Sequence, residues 1–260
     1  MEISRLARLA EQLRRAHRES TPLLLPNAWD PASARQVVAA GFPVVATTSG
    51  GVAASLGGED GERTPADDML AAVTRIAGAV ECPVTADLES GYGLPPHELA
   101  RRLLQTGAVG CNLEDSDHRN GGLVDAAVQA AHLRSFKEAA RSLGVDLVLN
   151  ARVDVFLRQL GAPSERVTLA LERASLYAEA GADCVYPILA SEEELGLFAA
   201  RHPGPVNGLP RGGAASLERL VTMGLARISL GTGLQRLALG DLGRRLRALA
   251  QGDPSWAKEA

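Results

Sequence analysis

The stretch PVTADLESGYGLPPHELARRLLQTGAVGCNLED, residues 83–115, decides the fold. An apolar run over residues 83–87 ends in acids and a glycine turn. A helical pattern over about 95–106 follows, and Gly107 supplies a left-handed helix cap. A second apolar run over 109–113 then ends in acids again. In a parallel α/β fold such strand ends share one face, so the two acidic ends converge.

The same unit recurs on both sides. Strand candidates at 23–26, 42–47, 146–151, 184–188, 205–209 and 228–230 alternate with helical patterns at about 30–40, 65–80, 124–143, 164–180, 191–201 and 216–223. The stretch after 42–47 reads as a glycine-rich turn. The strands are apolar and β-branched, as in sheet buried on both faces. Gly41 and Gly181 sit at helix-to-strand junctions as Gly107 does. About eight βα units in 260 residues predict a (β/α)8 TIM barrel. The competitor is an open doubly wound sheet, but no dinucleotide glycine fingerprint follows the first strand. Residues 1–260 read as one barrel domain, with an N-terminal helix in 1–20 and a C-terminal helical region over about 234–260.

The chain is 46% hydrophobic and 22% charged, with net charge -4 and pI about 5.8. This balance gives no reason to expect nucleic acid or an anionic membrane as partner. No stretch reaches membrane-spanning length, and residues 1–20 lack the continuous apolar core of a signal peptide. The three cysteines, Cys82, Cys111 and Cys184, lack metal-ligand spacing and read as reduced thiols, which predicts the cytoplasm.

The acids carry the chemistry. Two unit charges about 4 Å apart at an effective dielectric of about 20 interact by roughly 4 kcal/mol, so a cluster of acids needs neutralising. All-oxygen ligands suit Mg²⁺, with Mn²⁺ as the other fit. Asp87 and Glu89 are two apart and point the same way; Glu114 shares its parity with Asn112. These three are the candidate metal ligands, and Asp115 is expected to anchor a loop or neighbouring strand. Ser49, Gly50 and Gly51 end the second strand and can bring N–H groups to an anion. Arg152 is the one cation among the acids, placed to hold a carboxylate through both arms of its fork. Asp60 lies in a segment of small residues suited to a lid. Of the five histidines only His118 lies in a strand-end loop.

At these residues the chain resembles the isocitrate lyase/phosphoenolpyruvate mutase superfamily. The likeness spans residues 23–233. It rests on Pro26-Asn27-Ala28-Trp29-Asp30, Thr48-Ser49-Gly50-Gly51, Leu56-Gly57 with Asp60, Asp87-Leu88-Glu89-Ser90-Gly91-Tyr92-Gly93, Asn112-Leu113-Glu114-Asp115, Asn150-Ala151-Arg152-Val153-Asp154 and Ala180-Gly181-Ala182-Asp183. The resemblance implies a barrel whose C-terminal helices are exchanged between subunits, in a homodimer or homotetramer. It implies cleavage or formation of C–C or P–C bonds through an enolpyruvate-like intermediate on Mg²⁺. It makes Asp87 the principal metal aspartate, with Glu89 and Glu114 acting largely through water. Ser49, Gly50, Gly51, Arg152 and Asn207 become substrate-binding, and Asp60 becomes a gating-loop acid.

Two departures narrow the chemistry. The lyases of the family carry Lys-Lys/Arg-Cys-Gly-His after the fourth-strand acids. Here Ser116-Asp117-His118-Arg119-Asn120-Gly121-Gly122 stands instead, which argues against isocitrate or 2-methylisocitrate cleavage. The P–C enzymes place Lys, Asn and Ser in this loop, which Arg119 and Asn120 only loosely echo. Ile188 stands where lyases place a glutamate. The expectation is a Mg²⁺-dependent C–C lyase on a small 2-oxo or 2-hydroxy (di)carboxylate, of the oxaloacetate-decarboxylating kind. The alternatives are a phosphonopyruvate mutase or hydrolase and a catalytically weak binding protein.

Overall fold

A computed structural model describes residues 2–211 and 214–257. Nine strands are assigned: β1 (Leu23–Leu25), β2 (Asn27–Ala28), β3 (Val45–Thr47), β4 (Val84–Asp87), β5 (Gly110–Glu114), β6 (Val148–Val153), β7 (Cys184–Pro187), β8 (Asn207–Gly208) and β9 (Arg227–Ser229). All pairings between these strands are parallel. Two sheets result, β1-β9-β8 and β2-β3-β4-β5-β6-β7. β1 and β2 are halves of one strand interrupted at Pro26, which has no N–H to give a ladder. A parallel bridge between Val185 and Val206 joins β7 to β8. The neighbours therefore run round a ring of eight strands, which is the predicted barrel.

The helices are α1 (Ile3–Ala16), α2 (Pro31–Ala39), α3 (Ser49–Ser55), α4 (Ala66–Ala77), α5 (Pro96–Thr106), α6 (Ala126–Ser142), α7 (Arg166–Glu179), α8 (Glu192–Arg201), α9 (Ala214–Thr222) and α10 (Gly233–Ala250). The three junction glycines hold the expected left-handed backbone: Gly41 at φ 90°, Gly107 at 93° and Gly181 at 100°. Leu6, Ala10 and Leu13 of α1 are buried at helical spacing, and a side chain at Gly110 would strike Leu13. α1 thus packs against the barrel at the start of β5, held by Arg14 Nε to Asp183 at 3.0 Å. Each such leucine contributes about 1.5–3 kcal/mol.

The stretch after β3 differs from expectation. It is not a turn but α3, because the run Gly51-Val52-Ala53-Ala54 offers small residues and buries Val52 and Ala53 against the barrel. Polar side chains occupy buried strand positions, among them Thr85, Asn112, Asn150, Asn207 and Arg227. Cys111 and Cys184 are buried free thiols. The 18-residue α10 buries only Gln235 among its described side chains, while Leu239, Leu242, Leu246 and Leu249 are at least half exposed.

Candidate active site

A cavity of about 390 Å³ opens at the C-terminal strand ends, lined by Ser49, Asp60, Asp87, Asn112, Arg152, Tyr186 and Ser229 among others. A wider groove of about 1110 Å³ lies between α1 and the starts of β1 and β3. That groove carries surface arginines and glutamates but no converging acids, so the chemistry belongs to the smaller cavity.

Asp87 ends β4. Its backbone N–H donates to Thr47 Oγ1 at 2.9 Å. Its Oδ2 accepts from the Ser49 N–H at 3.2 Å and from Ser49 Oγ at 3.0 Å. Its Oδ1 is buried with no partner among the described residues. One oxygen is thus anchored and the other left for a ligand. A buried, unsatisfied carboxylate oxygen costs free energy unless something occupies it.

Glu89 follows with a positive φ of 51° and is 2% exposed. Its Oε2 accepts from the Glu62 N–H, and its Oε1 has no partner among the described residues. Burial pushes its carboxyl up to about 8, and the charges of Asp60, Asp87 and Glu114 add to the rise. Asp87 and Glu114 thus lie close enough to Glu89 to act on its charge, as the two acidic strand ends predicted. Glu62 also accepts from Ser90 Oγ and the Tyr92 N–H, so it latches segment 57–64 onto the β4 loop. The same segment brings Asp60 to the cavity. A side chain at Gly50 would meet Asp60 Oδ2 at 3.0 Å and Thr232 at 3.1 Å, so any larger residue would press Asp60 and Thr232 back by a few tenths of an ångström.

Glu114 ends β5, 2% exposed, between Arg152 Nη2 and His118 Nε2, the latter at 2.6 Å. Burial raises its carboxyl, opposed by Arg152. The hydrogen bond to Glu114 in turn raises His118. Arg152 departs from expectation: Asp154 already takes its Nε at 2.7 Å and Nη2 at 2.8 Å. Arg152 and Asp154 share a strand face, so the fork closes on its own neighbour, and Nη1 is the end left for a ligand. Asp115 is the anchor that was expected. It accepts from the Asp154 N–H, Arg173 Nη1 and Tyr177 Oη at 2.7–2.9 Å.

Loop 116–123 is a closed hairpin. Ser116 pairs with Leu123, and Asp117 accepts from the N–H groups of Arg119 and Asn120 and from Asn120 Nδ2. The Arg119 guanidinium lies over Gly93. His118 is the residue this loop delivers to the acids.

Among the described residues no group of three His, Cys, Asp or Glu side chains could grip a metal ion directly. The residues still fit Mg²⁺ in the mode the resemblance implies. Asp87 Oδ1 is free to bind directly, and Glu89 Oε1 is free to bind through water. Glu114 is engaged by Arg152 and His118 and fits an outer position.

Ser49 reaches the site but spends its donors on Asp87. Gly51 faces Thr48, Gln235 and Trp29 rather than the cavity. Asn207 is fully buried behind Ser229, bonded to its Oγ at 3.1 Å. Sequence reasoning missed Glu62 and Arg227. For Arg227 the signal was a charge inside the apolar run Leu225-Ala226-Arg227-Ile228, on the parity of Ser229. Glu62 gave none, because its role depends on a loop folding back.

Comparison with known proteins agrees with this fold. The sequence model of the phosphoenolpyruvate phosphomutase family matches residues 13–250. An uncharacterized protein of Mycobacterium tuberculosis is 35% identical over 239 residues, covering 91% of this chain and 88% of its own. A Burkholderia cenocepacia J2315 crystal structure provisionally named a phosphonomutase superposes with TM-score 0.85 at 39% identity, over 92% of this chain and 98% of its own. The structure of 2,3-dimethylmalate lyase, a member of the phosphoenolpyruvate mutase/isocitrate lyase superfamily, gives TM-score 0.81 at 25% identity, over 96% and 88%. No described helix is long and apolar enough to cross a membrane.

Proposed function

The chain belongs to the phosphoenolpyruvate phosphomutase family, within the isocitrate lyase/phosphoenolpyruvate mutase superfamily of C–C lyases and P–C mutases, and from that premise we propose that it is a Mg²⁺-dependent C–C lyase. Its substrate is a small 2-oxo or 2-hydroxy dicarboxylate, cleaved through an enolpyruvate-like intermediate as an oxaloacetate-type acid is decarboxylated. The observation that carries this reading is Asp87, one oxygen anchored by Ser49 and the other buried and unsatisfied beside Arg152.

Asp87 would hold the ion directly, with Glu89 and Glu114 behind it. The ion supplies electrophilic stabilisation where negative charge develops on the substrate. Arg152 lines the same cavity, and its guanidinium cannot give up its proton. The pairs with Asp154 and Glu114 hold it there, outweighing burial. Asp60, closed over Gly50, excludes water. For an oxaloacetate-type acid the bond to the distal carboxylate would break, CO2 would leave, and the bond's electron pair would pass into the 2-oxo group to give an enolate, which takes a proton from water on release to become pyruvate. That departure needs no alcohol proton, which suits a site without the lyase cysteine.

A second reading is P–C chemistry, favoured by the 39% identity to the provisional phosphonomutase. Against it, Asn120 and Asp117 are bonded to each other and Arg119 lies over Gly93, so the loop keeps its polar groups to itself. The protein also works as a homodimer or homotetramer, supported by the exposed leucines of α10.

Incubation with Mg²⁺ and oxaloacetate, 2-methylisocitrate, a 2,3-dialkylmalate or phosphonopyruvate separates these readings. Pyruvate or another 2-oxo or carboxylate fragment is the expected product; phosphate or phosphoenolpyruvate from phosphonopyruvate would move the assignment to P–C chemistry. Asp87→Ala should lower turnover more than about a hundredfold, beyond what outer-shell changes cost. Turnover intact in that variant would sink the metal assignment.

A further inference from the structure

Asn112 stands in register between Asp87 of β4 and Asn150 of β6. Its side chain lines the cavity and is 7% exposed. Its Oδ1 accepts from Asn150 Nδ2 at 2.8 Å and from Arg227 Nη2 at 3.2 Å. An amide oxygen offers two lone pairs, and both are taken.

Arg227 makes this arrangement one-way. It is 1% exposed, and its Nε and Nη1 have no partner among the described residues. A guanidinium only donates. Turning the Asn112 amide over would set its N–H groups against those of Arg227. Without Arg227 the two asparagines could exchange donor and acceptor roles together, since Asn150 Oδ1 also has no partner among the described residues. With Arg227 in place only one sense is permitted, and Asn112 Nδ2 is left toward the cavity beside Asp87. No hydrogen bond from this Nδ2 occurs among the described residues. A buried arginine without a carboxylate partner is expensive, so its retention calls for a use.

We propose that Asn112 donates from Nδ2 to a carboxylate or oxo oxygen of the substrate beside Asp87, and that Arg227 is the positioning residue that fixes the amide in that sense. The proposal rests on the cavity being a 2-oxo or 2-hydroxy acid site. It adds a specificity element to that site: a substrate lacking an oxygen there would leave a desolvated donor unpaired.

The test uses the full chain loaded with Mn²⁺ and oxalate as the probe, both followed by titration calorimetry. Asn112→Asp keeps an acceptor for Arg227 and Asn150 but replaces the cavity donor with an acceptor. It should bind Mn²⁺ as tightly as the native chain or tighter, and oxalate about tenfold or more weaker. Arg227→Lys keeps a donor beneath Oδ1 and should retain most oxalate affinity, while Arg227→Met should lose it. Oxalate affinity unchanged in Asn112→Asp overturns the proposal and leaves the lyase reading standing. Equal effects of Lys and Met at position 227 overturn the positioning role. A native chain that binds Mn²⁺ but not oxalate overturns the reaction class, and this proposal with it.

Discussion

Glu89 shows how far a single residue can be read. Its place at a strand end, two after Asp87, was legible from periodicity alone. Its raised carboxyl was not, because that rests first on burial and then on the charge of Asp60, which arrives from a distant loop, while the Glu62 N–H opposes the rise. In the metal-free protein its carboxyl rises from 4.5 to about 8, burial being the main cause. Over that window the folded state keeps a proton that the unfolded chain has shed. Stability therefore falls as pH rises from 4.5 to 8. Thermal melts should show this slope without Mg²⁺ and a shallower one with it. Glu89→Gln should flatten the metal-free profile, and an unchanged slope would assign it to another group. Arg152 teaches the converse lesson. Its location was legible, but Asp154 on the same face occupied the fork that was expected to meet substrate. Arg227 was overlooked because an arginine in an apolar strand means little until the ring is closed.

The elements were easier. Every predicted strand and the helices up to residue 223 are present within a few residues, because buried parallel strands and capped helices carry dense local signals; the C-terminal helical region expected over about 234–260 ends as α10 at Ala250 with a short helical turn at Pro254–Ala257, and residues 258–260 lie outside the described residues. The exception is α3, whose glycines read as a turn. Glycine there serves tertiary contact: Gly50 lets Asp60 and Thr232 approach the start of the helix. Gly50→Ala tests this use. Alanine favours a helix over glycine by about 1 kcal/mol, which offsets much of the crowding. The melting temperature should move by less than about 3 °C. Asp60 must move, and kcat should fall roughly ten- to a hundredfold through misplacement of the closing loop. Wild-type kcat in this variant would mean that the closure is not used.

At the scale of the molecule, α10 joins the site to the assembly. Its N-terminal residues Gly233 and Arg236, with Thr232 before it, line the cavity. Leu239, Leu242, Leu246 and Leu249 repeat at spacings of 3, 4 and 3 along an exposed stripe. Such a stripe is stable in water when something covers it. A second copy is the expected cover, each leucine contributing about 1.5–3 kcal/mol when buried. Light scattering should give two or four times 27.2 kDa. Leu242→Glu with Leu246→Glu should give one. A native monomer would remove the second copy as the cover.

The hairpin at 117–122 meets the barrel mainly through His118 and Arg119, and its remaining bonds are internal. Ser116, tied to Asp154, and Leu123 clamp its base. A segment built this way is a cassette: its sequence can be exchanged without disturbing strand register, and the one acid beneath it that would lose a partner is Glu114, through His118. If the acids beneath it serve the proposed chemistry, a barrel that keeps them and varies this insert can move between bonds to carbon and bonds to phosphorus by small evolutionary steps. Transplanting the loop of a relative of known specificity onto the Ser116–Leu123 stem would retrace one.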